Sequence, residues 1–263
     1  MNTVASRDGT TIAYDRLGSG RAVILIAGAL CSRLSWSGPE LARLLAADFT
    51  VYNYDRRGRG DSGDTKPYAV DREVEDIEAI IAEAGGTAYL YGHSSGAALA
   101  LEAGIRLGHK AEKLALYEAP YNDDPAAQQA WKQYIEQLTD ILAADRRGDA
   151  VALFMSYVGM PPDQVAGMRQ APVWPMLEAI APTLAYDHTA ILGKAVSVPT
   201  DLAARVNVPV LVMNGGESFP FMYDTARALS QAMPKAELRT LEGQTHDVDV
   251  HALAPVLVEF LSD

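Results

Sequence analysis

The sequence predicts an α/β fold in which a mostly parallel sheet is flanked by helices. Segments with a strand pattern and segments with a helix pattern alternate over residues 1–120 and again over 207–263. The strand segments are short runs rich in Val, Ile, Leu and Tyr without polar alternation, which is typical of strands buried on both faces. Residues 121–206 have a helical pattern interrupted by prolines. We therefore predict one core domain with a helical cap, or lid, inserted into it.

The predicted core begins with two strands. TIAYDRLG at 11–18 and AVILIAG at 22–28 flank the turn residues Gly18, Ser19 and Gly20, which predicts a hairpin that leads into a buried strand. Helices and strands then alternate in the order SGPELARLLAAD, FTVYNYD, VDREVEDIEAIIAEAG, TAYLYG, SSGAALALEAGIRLG and KLALYEA. After the cap, the core is completed by the strand VPVLVMNGG, a helix around Met222 to Met233, the strand AELRTLEG and the helix ALAPVLVEFL.

Charge and composition exclude several classes of function. The chain has 22 Lys and Arg against 34 Asp and Glu, and its formal net charge of −12 repels phosphate backbones and anionic lipids. The single cysteine, Cys31, excludes an internal disulfide and a multi-thiolate metal site. The start, MNTVASRDGTT, lacks the order of a secretory signal, and the run AVILIAGAL is too short to span a bilayer. We expect a cytoplasmic monomer or homodimer that binds neither nucleic acid nor membrane.

A serine between two glycines marks the candidate site. In YLYGHSSGAALALEAG, at 89–104, the strand TAYLYG gives way to a small-residue helix, and Ser94 lies on the turn between them. The flanking Gly92 and Gly96 leave room for a tight, strained turn, so the pattern matches the G-x-S-x-G nucleophile elbow. Such a turn presents the serine oxygen at the carboxyl edge of the sheet. The backbone N–H of Ser95, at the helix start, is then one predicted donor of an oxyanion hole.

A serine nucleophile needs a base, and His246 is the best candidate. It lies in EGQTHDVD, the loop after the last predicted strand, which returns to the same edge of the sheet. The other histidines have less suitable positions. His93 adjoins the serine and favours a packing and hydrogen-bonding role, while His188, in the cap, is a possible substrate contact. The remaining two, His109 and His251, lie at the end of the elbow helix and in the last helix.

Several of these motifs together resemble the α/β-hydrolase superfamily. They are the elbow, the turn YDRRGRGDS at 54–62, the loop AGAL at 27–30 and the terminal histidine, and the resemblance covers almost the whole chain. It implies the α/β-hydrolase fold, with the helical cap inserted after the sixth strand of that fold, here KLALYEA. By position, the resemblance also implies the backbone N–H of Ala29 as the second oxyanion donor, and it favours a structural turn over an anion clamp for Arg56, Arg57 and Arg59.

The acid of the triad departs from the usual family pattern. Most members carry an aspartate in a G-x-x-D pattern, but counting from Gly215 that position holds Ser218, and Glu217 comes one residue early. Some members place the acid after the strand that follows the elbow helix, where this chain has Glu118. A glutamate closing an apolar strand needs a partner, and a histidine N–H is a suitable one. We predict Glu118 as the acid. Glu217, Asp123, Asp124 and a site without an acid remain alternatives.

The sequence thus predicts a cofactor-independent serine hydrolase without a metal site. We expect it to cleave a carboxylic ester or lactone of a small to medium hydrophobic molecule through an acyl-enzyme. Alternatives that keep the same triad are a carbon–carbon bond hydrolase and a synthase-like enzyme, and a hydrolase-derived ligand-binding protein with little turnover is a third possibility. The predicted pocket residues are Leu30, Trp131, Tyr157 and Trp174, whereas packing roles are favoured for Cys31 and Trp36.

Overall fold

A computed structural model describes all 263 residues of the chain. The strands are β1 (Asn2–Ala5), β2 (Thr11–Gly18), β3 (Ala22–Ile26), β4 (Thr50–Tyr54), β5 (Ala88–His93), β6 (Ala111–Tyr117), β7 (Val210–Gly215) and β8 (Ala236–Leu241). The helices are α1 (Gly38–Leu45), α2 (Val70–Glu83), α3 (Ser95–Leu107), α4 (Pro125–Ala143), α5 (Arg147–Tyr157), α6 (Pro162–Met168), α7 (Trp174–Ile180), α8 (Thr200–Ala203), α9 (Pro220–Ala232) and α10 (Val250–Ser262). A π-helical segment, Tyr186–Ile191, lies between α7 and α8.

The eight strands form one sheet in the order β1-β2-β4-β3-β5-β6-β7-β8. Strands β3 to β8 run parallel to one another, and β2, paired antiparallel with β4 and β1, begins an antiparallel edge. Alternate residues of the buried strands belong to two hydrophobic clusters, one on each face of the sheet. Helices α1 and α10 pack on one face, and α2, α3 and α9 pack on the other. The predicted fold class, a mostly parallel sheet between two helical layers, is confirmed.

The predicted hairpin between the first two strand segments is wrong. Strand β2 pairs with β4 instead, with Tyr14 opposite Tyr54, and its other neighbour is β1, which the sequence analysis did not predict. Strand β3 is buried along its whole length and pairs in parallel with β4 and β5. Glycine is required at position 18 because the backbone packs closely there, and not because of a hairpin: a Cβ would lie 2.2 Å from the Phe49 carbonyl oxygen. The residue permits a close backbone approach, and the turn it makes does not pair its flanking strands.

Helices α4 to α8 lie in the chain between β6 and β7, within the range predicted for the cap. Their apolar residues, among them Trp131 and Tyr134, join the same hydrophobic cluster as α3. The π-helical segment also packs against α3. A lid function for this region stays a prediction. No helix in the chain combines the length and the apolar character that a membrane crossing requires.

The turn from β5 to α3 is packed so closely that only glycine fits at two positions. A Cβ at Gly92 would lie 2.3 Å from the Gly96 carbonyl oxygen, and a Cβ at Gly96 would lie 2.2 Å from the Ile26 carbonyl oxygen. Both contacts are with backbone, which cannot move aside as a side chain can. The start of α3 is therefore held directly against the end of β3.

We predict that Gly96→Ala destabilises the protein while Gly167→Ala does not. The added methyl group at Gly96 must displace β3, and overpacking of this kind costs about 2 to 3 kcal/mol. Gly167, in α6, has open space around its Cβ position, so alanine there gains about 0.5 kcal/mol from helix propensity. Urea unfolding of the two variants and the wild type measures both effects. A Gly96→Ala variant as stable as the wild type would contradict this account of the turn.

Candidate active site

Ser94 occupies the strained turn between β5 and α3. Its backbone angles are φ 57° and ψ −126°, a conformation that costs free energy for a residue with a Cβ. The turn is held by its own backbone: the Ser94 N–H donates to the Tyr117 carbonyl at 2.9 Å, and the Ser94 carbonyl accepts from the Ala97 N–H at 2.8 Å. The side chain is half-buried at the carboxyl edge of the sheet. Strain of this kind is typical of a side chain that must be presented in one orientation.

Glu118 follows β6 directly and is almost completely buried, with 2% of its surface exposed. Its φ is 49°, so its backbone is also in the left-handed region. The carboxylate has three donors: the Gly215 N–H at 2.7 Å, the Ser218 hydroxyl at 2.9 Å and His246 Nδ1 at 2.6 Å. A buried carboxylate is stable only with such partners. These contacts tie together the ends of β6 and β7 and the loop after β8.

His246 lies in the loop between β8 and α10, with about a third of its side chain exposed. Because the carboxylate of Glu118 accepts a hydrogen bond, Nδ1 of the neutral imidazole carries the proton. Nε2 then has a free lone pair and can accept a proton from a hydroxyl group. The structure thus brings Glu118 and His246 together in the arrangement that makes a histidine a general base.

Two side chains at the ends of β5 and β6 hold the His246 loop. His93 lies beside Ser94, and its Nε2 donates to the His246 carbonyl at 2.8 Å, while the Tyr117 hydroxyl donates to the Thr245 carbonyl at 2.5 Å. Loss of hydration and the neighbouring His246 lower the pKa of His93 to about 4, so the ring is neutral. His93 therefore has a packing and hydrogen-bonding role, as predicted: it holds the backbone of the loop that carries His246 next to the elbow.

Ser218, at the position where most family members carry the acid, donates its hydroxyl hydrogen to Glu118. The missing aspartate is evident from the sequence, but this role of Ser218 was not predicted. The signal was available, because a serine near a buried carboxylate is a natural donor.

The alternative acids lie elsewhere. Glu217 is solvent-exposed. Asp124 accepts from the Ala127 N–H at the start of α4, and Asp123 accepts from the Val198 N–H. The structure therefore places none of the three alternative acids against His246.

The loop after β3 passes directly against Ser94. A Cβ at Gly28 would lie 3.1 Å from the Cβ of Ser94 and 3.6 Å from its Oγ. Ala29 follows, and Leu30 has a φ of 53°, so the chain turns sharply next to the serine. On the other side, Ser95 begins α3, where unpaired N–H groups favour negative charge. The two predicted oxyanion donors therefore belong to the two segments of backbone that flank Ser94.

The arginines of the turn after β4 are buried in ion pairs. Their carboxylate partners are Glu73 and Asp187 for Arg56, Asp76 and Asp8 for Arg57, and Asp187 for Arg59. All three guanidinium groups are engaged by carboxylates of the chain itself. This pattern favours the structural interpretation of the turn over an anion clamp. Asp187, which receives two of the arginines, is a functional candidate that the sequence analysis did not identify.

The predicted pocket residues fall into separate environments. Trp131 is buried and donates its indole N–H to the Gly193 carbonyl at 2.9 Å. Tyr157 is partly exposed and packs edge to face against Trp131, with the ring centroids 5.6 Å apart. Leu30 is buried beside the elbow. Trp174, in α7, lies under the guanidinium of Arg169 at 5.3 Å. Trp131 and Tyr157 therefore contact each other, whereas Trp174 contacts Arg169. A role in the substrate pocket stays a prediction for all four residues.

His188 is the centre of an aromatic group in the predicted cap. Its Nδ1 lies 2.8 Å from the Tyr134 hydroxyl, and the rings of Trp131 and Phe154 lie 5.3 and 5.1 Å from its own. Only 3% of the residue is exposed. Burial lowers the pKa of His188 to about 4, so the imidazole is neutral near pH 7. The surroundings of His188 are therefore largely apolar, and the neutral imidazole is a polar group among the aromatic rings.

Comparison with known proteins identifies the family of the chain. A model of the alpha/beta hydrolase family matches residues 23–258, and the chain belongs to that family. An alpha/beta hydrolase from Sphaerobacter thermophilus is 50% identical, with a TM-score of 0.86 over 99% of this chain and 100% of its own. A thermophilic esterase from Thermogutta terrifontis is 20% identical, with a TM-score of 0.73 over 99% of this chain and 97% of its own. An enol-lactonase from Burkholderia xenovorans is 22% identical, with a TM-score of 0.72 over the full length of both chains. The family match and the 50% identical structure support an enzyme of the hydrolase class, and the other two structures show the same fold.

We predict that His188 makes the stability of the protein depend on pH between 7 and 5. The folded pKa of about 4 lies below the ordinary value of 6.5, so in this range the unfolded chain binds a proton that the folded chain does not. The stabilisation is complete above pH 6.5 and is lost as the pH falls towards 4. Between pH 7 and pH 5, the free energy of unfolding should fall by about 1 to 2 kcal/mol less in His188→Phe than in the wild type. Urea unfolding at both pH values measures the difference. Equal losses in the two proteins would contradict a neutral, buried His188.

Proposed function

We propose that this protein is a serine hydrolase that cleaves a carboxylic ester or lactone through an acyl-enzyme and needs no cofactor. The observation that carries the proposal is the 2.6 Å contact between His246 Nδ1 and the buried Glu118 carboxylate, at the edge of the sheet where Ser94 lies on a strained turn. This contact leaves Nε2 of His246 as a base at the edge of the sheet where Ser94 is presented. A serine hydroxyl needs such a base to act as a nucleophile near neutral pH.

In the acylation step, Ser94 Oγ attacks the carbonyl carbon of the substrate while His246 Nε2 takes the hydroxyl proton. The carbonyl oxygen becomes an oxyanion, which the backbone N–H groups of Ala29 and Ser95 bind. Glu118 stabilises the imidazolium that forms on His246. The tetrahedral intermediate then collapses, the bond to the leaving oxygen breaks, and His246 returns the proton to the alcohol that departs.

Deacylation repeats these steps with water. His246 Nε2 takes a proton from a water molecule, whose oxygen attacks the acyl carbon, and the same two N–H groups bind the second oxyanion. The bond to Ser94 Oγ breaks, and the proton goes from His246 to the serine. The products are a carboxylic acid and an alcohol, joined in one molecule when the substrate is a lactone.

The substrate class rests on the site, because the esterase and the enol-lactonase are similar enough to support only the fold. The aromatic group around His188, which adjoins the Ser95 partner Asp187, and the buried Leu30 in the loop after β3 support an apolar acyl or alcohol portion. The buried arginines do not favour an anionic substrate, since carboxylates of the chain already pair with them. We therefore propose uncharged hydrophobic esters and lactones as the substrates to test first.

We predict that a fluorophosphonate labels the protein once, at Ser94. The reagent reacts with a serine only when its base and oxyanion donors are in place. Intact mass spectrometry followed by peptide mapping measures the modification, and Ser94→Ala is the control that should not react. Folded wild-type protein that stays unlabelled would contradict the proposed function and favour a hydrolase-derived ligand-binding protein.

We predict that Glu118→Gln lowers kcat for a working ester by about 1,000-fold, because an amide neither fixes the histidine tautomer nor stabilises the imidazolium. Glu217→Gln is the matched control: it makes the same chemical change on an exposed side chain, so its kcat should stay within about threefold of the wild type. Steady-state kinetics of both variants test the assignment. The reverse pattern would identify Glu217 as the acid and overturn the choice of Glu118.

A further inference from the structure

A fully buried carboxylate from the region between β6 and β7 reaches the turn that carries Ser94. Asp187 lies in the π-helical segment Tyr186–Ile191, and none of its surface is exposed. Its Oδ1 accepts hydrogen bonds from the Ser95 hydroxyl at 2.8 Å and from Arg56 Nη1 at 2.6 Å. Its Oδ2 accepts a hydrogen bond from Arg59 Nη2 at 2.6 Å. One side chain thus binds the first residue of α3 and two arginines from the turn after β4.

The same two arginines hold the loop on the other side of the serine. Arg59 Nη1 donates to the Gly28 carbonyl at 2.6 Å, and Arg56 Nη1 donates to the Ala27 carbonyl at 3.2 Å. In a planar trans peptide, the C=O and the N–H point in opposite directions. Because Arg59 binds the carbonyl of the peptide between Gly28 and Ala29, the N–H of Ala29 points away from Arg59. The orientation of this N–H is therefore set by the position of one guanidinium group.

The position of Arg59 depends in turn on Asp187. Arg56 has a second carboxylate partner, Glu73, which it binds through Nε and Nη2 at 2.7 Å each, whereas Asp187 is the only carboxylate paired with Arg59. Burial alone would raise the pKa of Asp187, but Arg56 and Arg59 lower it to about 2, so the group is ionised near neutral pH. Without the charge of Asp187, the buried guanidinium of Arg59 would have no negative charge paired with it, which is unfavourable.

We propose that Asp187 is a positioning residue for the oxyanion hole. Through Arg59 it orients the N–H of Ala29, and through the Ser95 hydroxyl it fixes the residue that presents the second N–H. Asp187 itself does not touch the reacting atoms. This inference rests on the proposed hydrolase function, because it assigns these two N–H groups to the oxyanion. It links a residue of the predicted cap to the catalytic geometry of the core.

The test compares Asp187→Asn with a matched control, Asp76→Asn. Asp76 is also almost completely buried and pairs with Arg57 through two hydrogen bonds of 2.8 and 2.7 Å, but it forms no hydrogen bond with the loop after β3 or with the elbow. Both variants lose one buried charge next to an arginine, although Arg57 keeps Asp8 as a second carboxylate partner and Arg59 keeps none. Asp76→Asn therefore controls for the loss of a buried charge, and a third variant isolates the contact with the elbow. Ser95→Ala is the third variant. It removes only the hydroxyl contact and leaves every ion pair and the backbone N–H intact.

Each rate is measured on protein shown by urea titration to be folded at the assay temperature. We expect kcat for a p-nitrophenyl ester and the rate of fluorophosphonate labelling to fall about 100-fold in Asp187→Asn, with KM within about threefold of the wild type. Ser95→Ala should lower the same rates about fivefold to tenfold, as expected for a modest shift of one donor. Asp76→Asn should keep them within about threefold.

The proposal is overturned if Asp187→Asn and Ser95→Ala retain the rates of Asp76→Asn. If Asp187→Asn does not fold, Ser95→Ala decides alone, because it leaves no charge unpaired. If the wild type itself shows neither labelling nor turnover, the proposed function fails, and crystal structures of Asp187→Asn and Asp76→Asn decide the positioning role. A displaced Arg59 and a rotated peptide between Gly28 and Ala29 in Asp187→Asn alone would support it. An unchanged peptide in Asp187→Asn would overturn it.

Discussion

The buried carboxylate of Glu118 is the group on which the candidate site depends. It lies where β6, β7 and the loop after β8 meet, and its oxygens are paired with Gly215, Ser218 and His246. A carboxylate in this position is costly unless every oxygen is bound, so each partner is constrained as well. The φ of 49° at Glu118 indicates that the fold accepts backbone strain to keep the group there. The histidine loop is placed by this carboxylate together with His93 and Tyr117.

A second constraint is the pairing of charges behind the elbow. The cluster of Arg56, Arg59, Glu73 and Asp187 is buried, and its two positive groups balance its two negative groups. Buried ion pairs contribute little net stability compared with apolar packing, but they impose specific geometry, because each donor has few acceptable partners. Here that geometry includes two backbone carbonyls of the loop after β3. The charges therefore connect the predicted cap, the elbow and the loop after β3 through directional hydrogen bonds.

The sequence predicts most of the fold, because the buried strands lack polar alternation and the helices between them carry a clear apolar stripe. The elbow is recognisable for a physical reason: only glycine fits at Gly92 and Gly96. Strand order was less accessible. β2 lies next to β3 in sequence but pairs with β4, and no local pattern reports which distant strand is the partner. The short β1 was missed because four mostly exposed residues carry little apolar signal.

The role of Asp187 was beyond sequence reasoning for a related reason. Its partners Arg56 and Arg59 lie 131 and 128 residues away in the chain. The arginines themselves indicated that carboxylates must be nearby if the turn is buried, but the chain has 34 acidic residues to choose from. Glu118 could be proposed because it closes an apolar strand next to the elbow. Asp187 lies in an irregular helical segment, where periodicity does not predict which side chains point inward.

The measurement that tests the central claim most directly is a crystal structure of the protein after reaction with a phosphonate ester. We expect a phosphorus atom bonded to Ser94 Oγ and a phosphonyl oxygen about 2.7 to 3.1 Å from the backbone nitrogens of both Ala29 and Ser95. We also expect Glu118 to contact His246 in the adduct. A phosphonyl oxygen bound elsewhere, or an adduct on a residue other than Ser94, would contradict this claim.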